Sequence, residues 1–237
     1  MAERILQRVT APELSAFYTR IHHEEGVTIH TGISITQIMG ITQVAGVCCS
    51  NGITFPADLV VIGVGVNPNV ELAQAAGIEV DNGIMIDEFC RTNDPNIVAA
   101  GDCTNHFNAH YKRRIRLESV PNASEQGKIA AASICGLNHK YTSLPWFWSD
   151  QYDLKLQIAG LSQGYDQLVI RGNKDVGRSF AAFYFKNGQL IAADCVNRPQ
   201  EFMLSKKMIS EKIRLNLDQL IDESIPVKEL LQGLSYC

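Results

Sequence analysis

The sequence predicts an α/β fold followed by a smaller C-terminal α+β domain. Apolar runs without polar alternation, such as residues 58–66, end in glycines or turn residues and alternate with helical patterns, which is typical of a parallel sheet. After about residue 140 the pattern changes to closely spaced strand candidates followed by helices. We therefore expect a domain boundary near residue 145.

The composition predicts a cytoplasmic protein without a metal site. The chain has 237 residues, of which 46% are hydrophobic, and its formal net charge of -4 argues against a general nucleic-acid binder. The histidines lack metal-ligand spacing, and no CxxC pair occurs among the cysteines at positions 48, 49, 90, 103, 135, 195 and 237. The longest apolar run is far shorter than the roughly 20 residues of a membrane span, and the N-terminus has no apolar signal core.

The first third of the chain predicts one long helix, a short one and several strands. Residues 11–25 carry Leu14, Phe17, Tyr18 and Ile21 at helical spacing, and the next glycine ends the pattern. A short helix is expected at residues 70–76, a hairpin turn at 51–52, and strands at 27–30, 34–39, 44–50, 58–66 and 84–87.

A turn at residues 92–96 leads into a short apolar strand, residues 97–100, which we expect to be buried on both faces and to end at Gly101 and Asp102. Ligands of open α/β sheets bind beyond the carboxyl ends of such strands. Gly101 permits close approach of another molecule, and Asp102 offers a carboxylate to hydroxyl donors. An aspartate that caps the following segment fits the spacing equally well, so both interpretations stay open.

A helix of small residues follows the polar and irregular segment 105–114. Ser119 is a suitable N-cap, Pro121 fits the first turn and Gly136 is well placed to end the helix. The helix N-terminus presents N–H groups and a partial positive charge, which suit an anion or an electron-rich ring. Every helix has such an end, so this feature alone does not assign a function.

The glycine pair Gly63 and Gly65 interrupts the predicted buried strand 58–66. Glycines at a strand end permit close approach of a flat or phosphorylated ligand. However, no GxGxxG fingerprint occurs here or elsewhere in the chain. Tight packing is therefore the simpler explanation from spacing alone.

The C-terminal part predicts a sheet followed by helices. Strands are expected at residues 154–159, 167–171, 179–186 and 190–196, with a hairpin turn at 187–188. Residues 199–213 predict a helix with four apolar side chains facing inward: Phe202, Met203, Ile209 and Ile213. A final helix starts near Pro226.

Two surface features have both a plain and a functional interpretation. Trp146 and Trp148 would share one side if they lie on a strand, whereas in a loop they could form a stacking wall or an interface anchor; plain core packing fits the spacing equally well. The basic residues at 112–116, joined by Lys206, Lys207, Lys212 and Arg214, are either simply solvated or steer an acidic partner.

Four motifs occur together in one order: Thr92 with residues 101–103, then residues 118–123, 145–151 and 196–199. In this combination the chain resembles, over essentially its whole length, the FAD-dependent, NADH-oxidising ferredoxin reductases of oxygenase electron-transfer chains. The resemblance implies the C-terminal part of a flavoprotein with two dinucleotide-binding domains, whose fingerprints would precede this chain. It implies three parts: the latter half of an NAD-binding domain, the second segment of an FAD-binding domain and a C-terminal α+β reductase domain, at residues 1–70, 71–144 and 145–237.

The same resemblance implies a flavin site. Asp102 matches the carboxylate that binds the ribityl chain of FAD, with Gly101 beside it. Val120 matches a backbone contact to the isoalloxazine ring at the helix N-terminus, and Trp148 matches an aromatic residue beside the flavin.

It also implies a site for the second cofactor, NAD. Gly63 and Gly65 match the strand end that faces NADH, and Glu118 lies where the nicotinamide would approach. No residue is assigned as catalytic, since the redox chemistry belongs to the cofactors.

The resemblance implies transfer of electrons from NADH through FAD to a ferredoxin or rubredoxin, an acidic iron–sulfur protein. One alternative is a related pyridine nucleotide-disulfide reductase, although residues 140–237 lack the C-terminal histidine base that many of those enzymes carry. Another alternative is that the chain by itself is a non-catalytic fragment. It would then expose apolar surface and self-associate into a homo-oligomer.

Overall fold

The computed structural model describes residues 2–232 and divides into two compact units, residues 1–66 and 67–237. The first unit contains one helix, α1 (Pro12–Glu24), and an antiparallel three-stranded sheet of β1 (Ile35–Gly40), β2 (Val44–Cys49) and β3 (Thr54–Pro56). Helix α1 buries the predicted apolar face, Leu14, Phe17, Tyr18 and Ile21. The helix and strands β1 and β2 therefore agree with the sequence prediction, whereas β3 was not predicted.

Two strands predicted in the first unit do not form. Residues 27–30 and 58–66 adopt no strand, and the second stretch is exposed rather than buried. Val61 is 85% exposed and Val64 is 90% exposed. A strand needs ladder partners for its N–H and C=O groups, and neither stretch has one among the described residues. The prediction of a buried strand at 58–66 is therefore wrong for this structure.

The second unit begins with a short helix and a small mixed sheet. Helix α2 (Glu71–Ala75) precedes β4 (Ile84–Ile86), which pairs in parallel with β5 (Thr104–Asn108), and β5 pairs antiparallel with β6 (Arg113–Ile115). Helix α3 (Val120–Ile134) follows and contributes Ala130 to a small apolar cluster with Ile86 and Cys90. The sheet and α3 carry the candidate site.

The expected strand at residues 97–100 and the irregular segment at 105–114 are both corrected by the structure. Residues 97–100 form only an isolated bridge, between Arg91 and Val98, and they are partly exposed. The parallel strand beside β4 is instead β5, whose polar sequence gave no alternation of apolar residues. Its polar side chains are nevertheless buried: Thr104 and His106 hydrogen-bond to Gln126 inside the unit, although Oδ1 of Asn105 and Nε2 of His106 have no partner among the described residues.

The C-terminal part forms a five-stranded antiparallel sheet with the order β7–β8–β11–β10–β9. The strands are β7 (Trp146–Gln151), β8 (Leu154–Gly160), β9 (Gln167–Gly172), β10 (Phe180–Lys186) and β11 (Gln189–Val196). Asn187 and Gly188, with φ of 51° and 72°, form the two-residue turn between β10 and β11, as the sequence predicted.

Helices cover one face of this sheet and form its main core. They are α4 (Pro199–Glu211), α5 (Leu217–Ile221) and α6 (Val227–Gln232), of which α5 was not predicted. In α4 the buried stripe includes Phe202, Leu204 and Met208, whereas Met203 is 60% exposed. The prediction of an inward Met203 is therefore wrong, because this residue lies off the stripe that repeats every three to four positions.

Tyr111, in the turn between β5 and β6, connects the small sheet to the C-terminal sheet. Its hydroxyl donates to the Ile191 carbonyl at 2.9 Å and accepts from the Leu161 N–H at 2.8 Å. Burial raises the pKa of Tyr111 to about 12, so the hydroxyl keeps its proton at neutral pH. This anchor holds the two sheets of the second unit together.

The described helices are all too short or too polar to cross a membrane. All described cysteines are free thiols, and Cys237 lies outside the described residues. Within residues 2–232 there is no group of three or more His, Cys, Asp or Glu side chains that could hold a metal ion.

Candidate functional site

The turn at Gly101 and Asp102 lies directly before β5. Gly101 has a φ of +91°, in the region that favours glycine, and its N–H donates to Oε1 of Gln126 at 2.8 Å. Asp102 is exposed, and its main-chain carbonyl accepts from Arg116 at 3.2 Å. The Asp102 carboxylate has no hydrogen-bond donor among the described residues, so it caps no segment there and faces solvent.

The N-terminus of α3 leaves one backbone donor open. Ser119 is the N-cap: its hydroxyl accepts the Asn122 N–H at 3.3 Å, and its carbonyl accepts the Ala123 N–H at 3.0 Å. Pro121 has no N–H. The remaining donor of the first turn is the Val120 N–H, which has no acceptor within residues 2–232, and the Val120 side chain is 68% exposed. The helix dipole makes this end attractive to an electron-rich group.

A fully buried glutamine, Gln126, joins these two features. Besides Gly101, its Oε1 lies 2.8 Å from the Thr104 hydroxyl and 3.4 Å from Nδ2 of Asn122. Its Nε2 lies 3.2 Å from Nδ1 of His106. The side chain thus contacts the turn, strand β5 and the first turn of α3 at the same time.

His106 and Tyr141 extend this network into the interior. Burial, aided by the nearby Arg114 guanidinium, lowers the pKa of His106 to about 4, so the imidazole is neutral at pH 7. The Tyr141 hydroxyl donates to Oδ1 of Asn122 at 2.8 Å, and burial raises the pKa of this phenol. The His106 and Tyr141 rings meet edge to face, with centroids 5.0 Å apart. The network is therefore uncharged and packed.

Trp146 and Trp148 lie on the same side of β7, with ring centroids 5.7 Å apart. Trp146 is the more buried of the two and packs against Phe202, with Lys206 Nζ 4.8 Å from its ring centroid. Trp148 is 42% exposed. Of the two settings that the sequence left open, the structure has the strand, and the pair combines core packing by one ring with an exposed face on the other.

A cleft of about 270 Å³ separates α3 from the tryptophan strand. Its lining includes Pro121 and Asn122 from the first turn of α3, Trp146 from β7 and Lys206 from α4. The cleft therefore opens beside the helix end that carries the Val120 donor. Polar and aromatic groups face each other across it.

The basic residues at 112–116 are partly engaged within the unit. Arg114 donates to the Asn105 carbonyl at 2.9 Å, and Arg116 pairs with Glu118 at 2.7 Å. Glu118 is thereby held next to the start of α3, two residues before Val120. Arg113 and Lys112 are exposed.

Gly63 and Gly65 lie in the first unit, on the exposed stretch 58–66. A Cβ at Gly63 would meet nothing within 4 Å, so tight packing does not require this glycine. Gly65 has a φ of +95°, which a side chain would strain. The structure thus places Gly101, Asp102 and Val120 in the second unit, next to the hydrogen-bonded assembly around Gln126, and leaves Gly63 and Gly65 in the first unit.

The sequence reasoning missed Gln126, His106, Asn122 and Tyr141. Asn122 and Gln126 are four positions apart in a helix of small residues, which places them on the same helix face. Two amides on one face of a helix made mainly of alanine, serine and isoleucine predict a buried polar contact. That pattern was available in the sequence.

Comparison with known proteins agrees with this architecture. The model of the pyridine nucleotide-disulphide oxidoreductase family matches residues 1–127, and the reductase C-terminal model matches residues 146–231. The chain therefore belongs to the pyridine nucleotide-disulphide oxidoreductase family.

Among individual proteins, the chain is similar to reductases of ferredoxin-type electron carriers. The chain is 46% identical to putidaredoxin reductase CamA of Pseudomonas putida over 97% of its own length and 55% of that protein. It is 38% identical to rhodocoxin reductase of Rhodococcus erythropolis, over 95% of this chain and 53% of the relative. The chain spans about half the length of the curated relatives it matches.

Solved structures show the same similarity. The reductase chain in the covalent putidaredoxin reductase–putidaredoxin complex superposes with a TM-score of 0.95 at 45% identity, covering 100% of this chain and 57% of that one. The ferredoxin reductase for the CYP199A2 system of Rhodopseudomonas palustris superposes with a TM-score of 0.91 at 42% identity, over 96% and 56% of the two chains.

Proposed function

We propose that this chain forms part of an FAD-dependent oxidoreductase that takes electrons from NADH and passes them to a ferredoxin- or rubredoxin-type iron–sulfur protein. The redox chemistry would come from bound FAD, which can accept a hydride and release electrons one at a time. The observation that carries the proposal is the hydrogen-bonded assembly around Gln126 in the second unit. Beside it, the Asp102 carboxylate and the Val120 N–H have no hydrogen-bond partner among the described residues. The names of the relatives support the same activity.

The open groups fit a flavin in chemical type. A carboxylate without a partner accepts hydrogen bonds from ribityl hydroxyls, and a helix N–H donates to a ring carbonyl or electron-rich nitrogen. Gly101 allows the cofactor to approach the main chain. The exposed face of Trp148 offers a surface beside the ring.

The NADH site and the domain boundaries are part of the same proposal. Gly63 and Gly65 would contact NADH, and Glu118 would lie near the nicotinamide. The boundaries of the two dinucleotide-binding parts and the C-terminal domain stay as predicted at residues 70 and 144. A cytoplasmic location also stays a prediction.

An acidic electron acceptor fits the charges of the second unit. Lys112, Arg113, Lys207 and Lys212 are exposed, and Lys206 lies over Trp146 beside the cleft. Electrostatic steering by such groups weakens as ionic strength rises. The rate of electron transfer to an acidic ferredoxin should therefore fall with added salt.

The proposed function is tested on the purified chain and on variants of its carboxylates. We expect the chain mixed with FAD to retain a flavin absorption spectrum after gel filtration, and to reduce a one-electron acceptor with NADH. Asp102→Asn should weaken FAD binding about tenfold, as expected for loss of a charge-assisted hydrogen bond. Asp175→Asn, at an exposed site elsewhere in the unit, is the matched control. A colourless chain that is inactive with NADH would contradict the proposal for this chain.

For the chain by itself, a second candidate is self-association. The exposed apolar stretch 58–66, which includes Val61, Ile62 and Val64, favours contact with another apolar surface. We expect sedimentation velocity to show species larger than the monomer, and Val64→Lys to shift the distribution towards the monomer. A compact monomer at all concentrations would refute this candidate.

A further inference from the structure

The Gln126 side chain hydrogen-bonds to both halves of the candidate flavin site, the Gly101 turn and the first turn of α3. It is 0% exposed and lies on α3, two turns after the Val120 donor. Its Oε1 accepts the N–H of Gly101, the residue directly before Asp102. Three further groups, on β5 and α3, lie within hydrogen-bonding distance of the same amide: Thr104, His106 and Asn122.

We propose that Gln126 is a positioning residue of the flavin site, which fixes the Gly101–Asp102 turn relative to the first turn of α3. The Asp102 carboxylate and the Val120 N–H are then held where one ligand meets both. This inference rests on the proposed function and deepens it. Gln126 itself is buried and has no exposed surface with which to touch the cofactor.

The hydrogen-bond roles leave the amide one orientation. The Gly101 N–H only donates, so the carbonyl end of Gln126 faces it, and Nε2 must donate to Nδ1 of His106. His106 accepts at Nδ1 only while it is unprotonated there, and its low pKa keeps it neutral at pH 7. Thr104 lies 2.8 Å from both the Gly101 carbonyl and the Gln126 Oε1, and its single proton serves one of them at a time.

Other side chains satisfy only part of this arrangement. Glutamate at position 126 would still accept from the Gly101 N–H, but it would lose the donor to His106 and place a charge in the interior. Methionine has a similar length and fills the space, but it makes neither hydrogen bond. The glutamine is therefore matched to both ends of the contact.

The test uses Gln126→Met and Gln126→Glu, with Ser133→Ala as a matched control. Ser133, on the same helix, donates to the Phe89 carbonyl at 2.6 Å and has no contact with the Gly101 turn. We would measure three quantities for each variant of the full chain: amide hydrogen exchange at Gly101 by NMR, the thermal unfolding midpoint, and FAD affinity by fluorescence titration.

We expect Gln126→Met to speed Gly101 exchange by about tenfold or more and to weaken FAD binding about tenfold. Gln126→Glu should keep more of the Gly101 protection than Gln126→Met. Ser133→Ala should lower the unfolding midpoint while leaving Gly101 exchange and FAD affinity within about twofold. This pattern separates positioning of the turn from general stabilisation.

Unchanged Gly101 exchange in Gln126→Met would overturn the inference. So would faster exchange with unaltered FAD affinity, or an equal loss of FAD affinity in Ser133→Ala. If the unmutated chain binds no FAD, the proposed function fails for this chain. In that case the exchange rate of the Gly101 amide in Gln126→Met, and its partial protection in Gln126→Glu, are sufficient to decide whether Gln126 fixes the turn.

Discussion

The stretch 58–66 and the C-terminal strand β10 are both predominantly apolar, but the first is exposed and the second is buried. Phe183 in β10 is 0% exposed, whereas Val64 is 90% exposed. Strand β10 lies between β9 and β11 and hydrogen-bonds to both. Residues 58–66 have no neighbouring strand in the described part of the chain. The presence or absence of neighbouring strands, and not the apolar composition, therefore explains why one region is buried and the other exposed.

The difference shows that strand formation depends on distant parts of the chain. An apolar, β-branched run has the propensity for a strand, but its N–H and C=O groups still require a ladder. Strands β10 and β11 are joined by a two-residue turn, so β10 obtains one partner locally. The stretch 58–66 depends on a partner from elsewhere.

The buried arginine of the C-terminal sheet gives the largest expected loss of stability. Arg171 on β9 is 3% exposed and donates to the carbonyls of Leu220, Asp222 and Ile225 at 3.0, 2.6 and 2.7 Å, while its Nε lies 3.3 Å from Glu201. Arg171→Met removes the guanidinium donor from all four groups, although the Asp222 carbonyl keeps the Ile225 N–H and the Glu201 carboxylate keeps Arg198. We expect it to lower the free energy of unfolding by about 3–5 kcal/mol, measured by urea denaturation with tryptophan fluorescence.

An exposed ion pair provides the control for the arginine. Lys140 and Glu88 lie 3.1 Å apart with both side chains about half exposed, so Lys140→Met should change the free energy of unfolding by less than about 1 kcal/mol. Equal losses for Lys140→Met and Arg171→Met would mean that burial does not set the strength of the arginine contacts.

A buried carboxyl makes the sheet sensitive to pH. Burial raises the pKa of Asp194 on β11 to about 7, although a hydrogen bond from the Tyr184 hydroxyl opposes the shift. The folded state therefore holds a proton that the unfolded state, with an aspartate pKa near 4, releases. The contribution of Asp194 to the free energy of unfolding is therefore fully present at low pH. It falls by about 3 kcal/mol as the pH rises from about 4 to about 7.

The difference between the unmutated chain and Asp194→Asn isolates this carboxyl. Urea denaturation across that pH range should show the slope in the unmutated chain and its absence in the variant. Parallel stability curves for the two proteins would show that Asp194 titrates normally in the folded state.

The sequence predicted most elements whose partners are close along the chain. Helix α1, the β1–β2 meander, the cap of α3 by Ser119 and the β10–β11 hairpin all follow from local periodicity and turn residues. Strand β5 was missed because its buried side chains are polar and are satisfied by residues about 20 positions away, above all Gln126. Propensity and periodicity do not report contacts of that kind.

The candidate site was predictable to a similar extent. The positions of Asp102 and Val120 came from motif resemblance, but spacing alone left Asp102 open between a cap and a ligand contact. Only coordinates could show that its carboxylate has no partner among residues 2–232. Likewise, the sequence offered the Asn122 and Gln126 spacing, but not the turn that Gln126 holds.

Leucine-to-alanine substitutions in the C-terminal core and in the exposed stretch 58–66 test whether the two regions differ in burial. Leu204 on α4 is 0% exposed in the C-terminal core, whereas Leu59 in the open stretch is 79% exposed. Leu204→Ala should lower the free energy of unfolding by about 2–5 kcal/mol, because it removes buried methyl groups and leaves a cavity. Leu59→Ala should change it by less than about 0.5 kcal/mol. A large loss at Leu59 would indicate that the stretch is covered in solution.

Met203 gives the smallest expected effect and tests the corrected orientation of α4. Its side chain is 60% exposed, while Met208, five positions later, is 0% exposed. Met203→Ala should change the free energy of unfolding by less than about 0.5 kcal/mol, since alanine suits a helix and little packing is lost. Met208→Ala should cost about 2–5 kcal/mol. If the two losses were similar, the helix would have to turn a wider face towards the sheet than the buried stripe through Phe202, Leu204 and Met208 implies.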